Sequence, residues 1–276
     1  MLARTRLGVL GWPVAHSRSP QMHNAALAEV GLHRWRYQLL PVAPELLAET
    51  VAALPRAGFR GVNVTIPHKQ AALALATSAS EQASRIGAAN TLIFDPRGRI
   101  HAENTDAPAL LAALPFPPRG TTALVLGAGG SARAVVWALL HAGVGEVLVW
   151  NRNHARAGEL CAELGGTAVR TATPADLLVN CTSVGLHGER DPFEQLPVSA
   201  PDLAGYRCVV DLVYVGSVTT LLRVAAERGA QTVDGLELLV GQGALGFELF
   251  TGRTAPVAVM RDVIRQPGPV DAGRVS

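Results

Sequence analysis

The sequence predicts an α/β protein of two domains with mainly parallel sheets. Short β-branched or aliphatic runs alternate with helical stretches through the first third, and strands alternating with helices argue for parallel pairing. A second alternation starts after Pro115-Phe-Pro-Pro118, a stretch that punctuates the chain between domains. A length of 276 residues, 49% of them hydrophobic and 17% charged, gives ample chain to bury a core.

Taken in order, residues 7–10 read as a strand, 20–30 as a helix, 35–40 as a second strand, 44–53 as a helix and 61–65 as a third strand. Residues 91–94 and 99–102 flank Asp95-Pro-Arg-Gly98, a turn sequence suited to a hairpin. From Thr122 the order is strand, glycine-rich turn, helix over 132–141, strand over 146–150 and helix over 155–164. Strands follow at 177–180 and 208–212, then helices at 236–251 and 256–264. The tail, residues 266–276, holds two prolines and two glycines and is expected to be disordered.

Composition narrows the function classes. A net charge of +2 without a lysine/arginine block argues against a nucleic-acid partner. The start lacks the apolar core and cleavage site of a secretory signal. The longest apolar stretch, residues 122–150, is interrupted by glycines, Arg133, His141 and Glu146, so no membrane span is expected. Cys161, Cys181 and Cys208 lack metal-ligand spacing and read as reduced cytoplasmic thiols. The eight histidines are dispersed, and no metal site is expected.

Ala123-Leu-Val-Leu126 leads straight into Gly127-Ala128-Gly129-Gly130-Ser131-Ala132, which opens a helix. In this pattern Gly127 permits a tight turn, Gly129 lets the backbone approach a pyrophosphate and Ala132 allows close helix–strand packing. The helix N-terminus then offers free N–H groups to the phosphate. The next strand ends in Asn151-Arg152-Asn153, with Arg156 following, where an NAD enzyme carries Asp or Glu. Two guanidiniums suit a 2′-phosphate, which points to NADP; solvated surface arginines are the competing reading, better for Arg156 than for Arg152.

Lys69 is the only lysine in a chain with 23 arginines. Lysine can release a proton where arginine cannot, so its retention hints at proton transfer, against chance survival of a surface lysine. It lies in Asn63-Val-Thr65-Ile-Pro-His-Lys69. Three further polar clusters stand in the first third: Ser17-Arg-Ser19-Pro20, Gly87-Ala-Ala-Asn90-Thr91 and Asn104-Thr-Asp106. Each has a structural reading as well. Ser19 could cap a helix, Asn63 and Thr65 could face solvent from a strand, Asn90 could fill a turn, and Asp106 could cap the helix that follows.

Together and in this order, these runs closely resemble the shikimate dehydrogenase family. The resemblance extends to Asn180-Cys-Thr182-Ser-Val-Gly185, Asp211-Leu-Val-Tyr214, Gly235 and Gln242. It implies reduction of 3-dehydroshikimate with NADPH on the route to chorismate. It further implies an N-terminal substrate domain (residues 1–106 plus 237–265) and a Rossmann-type NADP domain (residues 107–236), with the C-terminal helices returning to the first. By position it assigns Ser17 and Ser19 to the substrate carboxylate, with Tyr214 closing the pocket. Asn63, Thr65, Lys69, Asn90, Asp106 and Gln242 would face the ring hydroxyls, with Lys69 and Asp106 as the acid–base pair. Gly127, Gly129 and Gly130, with neighbouring Ala128, Ser131 and Ala132, would meet the pyrophosphate. Asn151, Arg152, Asn153 and Arg156 would meet the adenosine phosphate, and Thr182, Leu212 and Gly235 the nicotinamide. Such an enzyme is expected to act as a monomer or homodimer. The chain departs from the family pattern at Val215-Gly216 (commonly Asn-Pro), at Ala107-Pro-Ala109 and at Asn153. A quinate/shikimate dehydrogenase able to use NAD and a non-catalytic NADP-binding regulatory module are the alternatives.

Overall fold

The structure is a computed structural model describing residues 4–186, 191–215 and 218–266. Its strands form two six-stranded sheets. The first holds β1 (Thr5–Gly11), β2 (Trp35–Pro41), β3 (Phe59–Val64), β4 (Ser78–Ala79), β5 (Thr91–Phe94) and β6 (Ile100–Glu103), in spatial order β2-β1-β3-β5-β6-β4. β1 pairs in parallel with β2 and β3, whereas β5 runs antiparallel to β3 and β6. One side chain shapes the β5–β6 turn: the Asp95 carboxylate accepts from the N–H groups of Arg97 and Arg99 at 2.8 and 2.9 Å.

Within residues 4–103 four helices accompany this sheet: α1 (Ser19–Glu29), α2 (Leu47–Ala53), α3 (Lys69–Ala74) and α4 (Glu81–Ile86). The expected helix over 44–53 is split, with a 3-10 turn over Pro44–Leu46 preceding α2. Helix α4 is bounded by local chemistry. Ser80 accepts from the Ala83 N–H at its start, and Gly87 takes the left-handed conformation at its end. Helix α5 (Asp106–Ala113) then leads into the second sheet.

That sheet holds β7 (Thr122–Leu126), β8 (Glu146–Trp150), β9 (Thr167–Val169), β10 (Leu177–Asn180), β11 (Cys208–Asp211) and β12 (Gln231–Val233). All its pairings are parallel, in the order β12-β11-β10-β7-β8-β9. Residues such as Leu124, Val125, Leu178, Val179 and Val209 are fully buried, as both faces of a parallel sheet are covered. The covering helices include α6 (Gly130–His141), α7 (His154–Leu164) and α8 (Thr220–Glu227). The strand order reverses between β7 and β10, which opens a crevice at their carboxyl ends.

Helices α9 (Gly235–Thr251) and α10 (Val257–Arg265) return to the first sheet, where Val240, Phe247, Met260 and Ile264 share a core with Leu7, Val9 and Leu27. The tail over 266–276 lies outside the described residues apart from Gln266. Among the described residues, no helix is long and apolar enough to cross a membrane, and no His/Cys/Asp/Glu group could hold a metal ion.

His23 on α1 gives this core an acid sensitivity. Its ring stacks on Tyr37 with centroids 4.2 Å apart, and among the described residues neither ring nitrogen has a hydrogen-bond partner. Burial lowers its pKa from 6.5 to about 3. Between those values the unfolded chain binds the proton and the folded chain does not, so the stability present above 6.5 is lost as pH falls toward 3. The expected slope is about 1.4 kcal/mol per pH unit within that window. Urea unfolding at a series of pH values checks this, with His23→Phe expected to lose the slope. Equal slopes in both proteins would remove His23 as the cause.

Candidate functional site

A cleft runs between the two sheets, and its walls are built from loops at strand ends. Ser17 and Ser19 follow β1, with the Ser17 hydroxyl donating to Ser19 at 3.2 Å. Asn63, near the end of β3, is buried rather than solvent-facing. Its Oδ1 accepts from the Tyr37 hydroxyl at 2.7 Å, and its Nδ2 donates to Thr91 Oγ1 at 3.0 Å. Burial raises the pKa of the Tyr37 and Tyr214 phenols, opposed by hydrogen bonding to Ser19 and Ser17 respectively. The two rings therefore stay neutral. Thr65 lines the same cleft.

Lys69 is the first residue of α3, and its side chain is only 11% exposed. Its ammonium donates to Asp106 Oδ2 at 2.7 Å and to Ser131 Oγ at 2.8 Å. Asp106 opens α5 but does not cap it. The Asn104 side chain does so, accepting from the N–H groups of Asp106 and Ala107 at 3.1 and 3.3 Å. This leaves the Asp106 carboxylate for Lys69 on one oxygen and for the Asn90 amide, at 2.8 Å, on the other. Asn90 itself stands behind this pair, 1% exposed, with its Oδ1 accepting from the Thr105 N–H at 2.8 Å. Gln242 reaches the cleft from α9, steadied by donation to the Leu239 carbonyl at 2.8 Å.

The second arm of the cleft lies over the crevice of the parallel sheet. Gly127, Ala128, Gly129, Asn151, Arg152 and Thr182 line it, and Cys181, Thr182 and Ser183 border both arms. Gly127 has φ +111°, and a Cβ there would lie 3.2 Å from the Cys181 carbonyl, so the tight turn requires glycine. At Gly129 a Cβ would meet nothing within 4 Å, which leaves the N-terminus of α6 open to a ligand. An open glycine turn at a helix N-terminus, with the exposed Arg152 across the arm, fits a phosphorylated dinucleotide. Asn153 caps α7 by accepting from the Ala155 N–H at 3.1 Å. Arg156 is exposed on that helix, outside the lining of the arm, and Ala132 is fully buried beneath the turn. The side chain of Ser131 turns toward Lys69, and the Gly130 backbone packs against the same lysine.

The floor between the arms is a buried polar network. Asn180, ending β10, donates to Asp211, ending β11, at 2.9 Å. Its Oδ1 accepts from the Thr182 hydroxyl at 2.7 Å, while Asp211 also accepts from the Thr219 hydroxyl at 2.7 Å. Burial pushes the Asp211 carboxyl up to about 6, against the hydrogen bonds from Thr219, Val213 and Asn180. Burial also raises the Cys181 thiol, which keeps it protonated and poorly nucleophilic. Leu212 and Gly235 complete this wall. A Cβ on Gly235 would stand 2.7 Å from the carbonyl oxygens of both Leu212 and Val213.

Two residues of this site, Tyr37 and Arg133, escape a sequence reading, and Ser131, expected at the pyrophosphate, has an unforeseen partner. Tyr37 orders Asn63, and Ser131 holds Lys69. Arg133 is a buried arginine that bonds the Ile86 carbonyl across the two halves at 2.6 Å. Its one sequence signal is a cation placed inside the apolar run that follows Ala132.

Comparison with known proteins matches this organisation along the chain. The model for a shikimate dehydrogenase substrate binding domain matches residues 9–92, that for shikimate / quinate 5-dehydrogenase residues 111–183, and that for a shikimate 5'-dehydrogenase C-terminal domain residues 235–265. The shikimate dehydrogenase (NADP(+)) of Paracoccus denitrificans is 45% identical over 91% of this chain and 92% of its own length. The structure of shikimate 5-dehydrogenase from Thermus thermophilus in complex with NADP(H) and shikimate is 43% identical. It superposes with a TM-score of 0.83 over 96% of this chain and 100% of that one. The ligand-free 5-ketofructose reductase of a Gluconobacter species is 30% identical, with a TM-score of 0.81 over 96% of this chain and 99% of its own. With a polar cleft, a glycine turn at the strand-order reversal and relatives alike along nearly the whole length, the chain belongs to the shikimate dehydrogenase family.

Proposed function

We propose that this chain catalyses the reversible NADPH-dependent reduction of 3-dehydroshikimate to shikimate, within chorismate and aromatic amino-acid biosynthesis. The observation that carries it is the Lys69–Asp106 pair, 2.7 Å apart where the serine-lined wall meets the glycine turn. NADPH, when bound, supplies the hydride. Lys69 gives a proton to the ketone oxygen as negative charge develops there, and takes it back in the reverse direction. Asp106 orients the ammonium and accepts from a neighbouring ring hydroxyl, and Asn90 orients Asp106.

Ser17, Ser19 and Tyr214 hold the substrate carboxylate, while Asn63, Thr65 and Gln242 take ring hydroxyls. Neutral donors and acceptors of this kind reject analogues lacking a hydroxyl, because their own buried groups would go unpaired. Gly127, Ala128, Gly129 and the start of α6 receive the pyrophosphate. Arg152, with Asn151 and Arg156, takes the 2′-phosphate, and Thr182, Leu212 and Gly235 wall the nicotinamide. Residues 1–106 with 237–265 form the substrate domain in this reading, and residues 107–236 the NADP domain, supported by the core that α9 and α10 share with β1. The enzyme is cytoplasmic, binds no nucleic acid and acts as a monomer or homodimer.

An absorbance assay of nucleotide reduction, pairing shikimate or quinate with NADP or NAD, tests this. Turnover is expected to be greatest with shikimate and NADP. A preference for quinate with NAD would reassign the substrate. Binding of NADP without turnover on either compound would leave only a nucleotide-binding module.

A further inference from the structure

We propose that Ser131 is a positioning residue for Lys69, tying its ammonium to the turn where the dinucleotide binds; this rests on the function proposed above. An ammonium has three N–H donors. Two are engaged, by Asp106 Oδ2 at 2.7 Å and Ser131 Oγ at 2.8 Å, and the third is left for the substrate oxygen. The two acceptors come from different halves of the molecule. Asp106 opens the helix leaving the first sheet, whereas Ser131 is the second residue of α6, directly after the glycine turn.

Two neighbours hold the start of α6 in register with Lys69. A Cβ on Gly130 would lie 2.7 Å from Lys69 Cβ, so glycine lets the helix backbone close on the lysine stem. Arg133, one turn on, donates to the Ile86 carbonyl at 2.6 Å and to Glu163 at 2.5 Å. Its guanidinium lies only 2.5 Å from where a Cβ on Gly87 would stand, so glycine there makes room for it. The segment continuing from Gly87 reaches Ala89, whose N–H donates to the Lys69 carbonyl at 2.8 Å. Both the backbone and the ammonium of Lys69 are thus referenced to α6. A hydroxyl suits the place, since it accepts from the ammonium without adding charge beside Asp106, and its own hydrogen rotates freely.

A pyrophosphate contact is the opposing role for Ser131, and Ser131→Ala and Ser131→Thr separate the two. The measurements are kcat for shikimate oxidation at saturating NADP, the Kd for NADP, and the solvent deuterium isotope effect on kcat. Ser131→Ala is expected to lower kcat about tenfold, the loss of one charge-assisted hydrogen bond. The Kd for NADP should be unchanged, the solvent isotope effect larger, and Ser131→Thr should recover most of the rate. A weakened Kd with kcat intact would make Ser131 a phosphate ligand and overturn the proposal. So would a fall in kcat with no change in solvent isotope effect, which marks general damage. If the unmutated chain turns over shikimate and Ser131→Ala equals it, only the role of Ser131 falls. If the unmutated chain turns over nothing, the functional reading falls and takes this proposal with it.

Discussion

Lys69→Ala is expected to lose about 10²–10⁴-fold in kcat, the contribution of one positioned acid–base group, with little change in substrate KM. The asymmetry follows from the geometry. In the proposed function, substrate recognition is spread over Ser17, Asn63, Thr65 and Gln242, which line the cleft, whereas proton delivery rests on one ammonium, 11% exposed and held by Asp106 and Ser131. Removing it deletes an interaction that gains strength mainly as charge develops on the substrate oxygen. Lys69→Arg should fail as well. A guanidinium keeps its proton, so it has none to exchange with the substrate oxygen. Steady-state kinetics of shikimate oxidation decide the matter. Near-normal kcat in either variant would take Lys69 out of the chemistry.

Arg152→Ala carries the second-largest expected effect, raising the KM for NADP by about 10–100-fold while leaving that for NAD nearly unchanged. Arg152 is exposed at the end of β8 and lines the outer arm of the cleft, with no carboxylate at the corresponding position to serve an unphosphorylated ribose. Arg156 sits outside that lining, so its loss should cost less. Parallel losses with both nucleotides would show that Arg152 supports the loop rather than reading the phosphate.

The elements legible in the sequence are those whose burial is recorded residue by residue. The strands Glu146–Trp150 and Leu177–Asn180 coincide at both ends with the aliphatic runs that predict them. The glycine turn and its helix are equally legible, because a tight turn against Cys181 excludes other residues. Short elements are not. Helices α3 and α4 have six residues each, and β9 and β12 three, too few for a periodicity to register. Helix α8 is long enough, with Leu221, Leu222 and Ala225 buried on one side, yet the sequence reading passes over it.

Within the site, residue types were readable where partners were not. The sequence allows Asp106 to cap a helix, but Asn104 takes that place and frees the carboxylate for Lys69. Asn90 reads as one more ring-facing amide, and the structure gives its amide nitrogen the partners Thr105, Asp106 and Gln242, none of which a local pattern announces. Ser131 and Lys69 lie 62 residues apart, and no local pattern announces a contact made only when two sheets come together.

The burial of Lys69 also shapes how the protein answers to reagents. Apart from the amino terminus, the chain offers an acylating reagent a single primary amine, and that amine lies in the cleft. Lysine-directed modification of the folded chain is therefore confined to the cleft. Any adduct at Lys69 becomes a direct reporter of cleft occupancy, to be read by intact mass with and without shikimate and NADP.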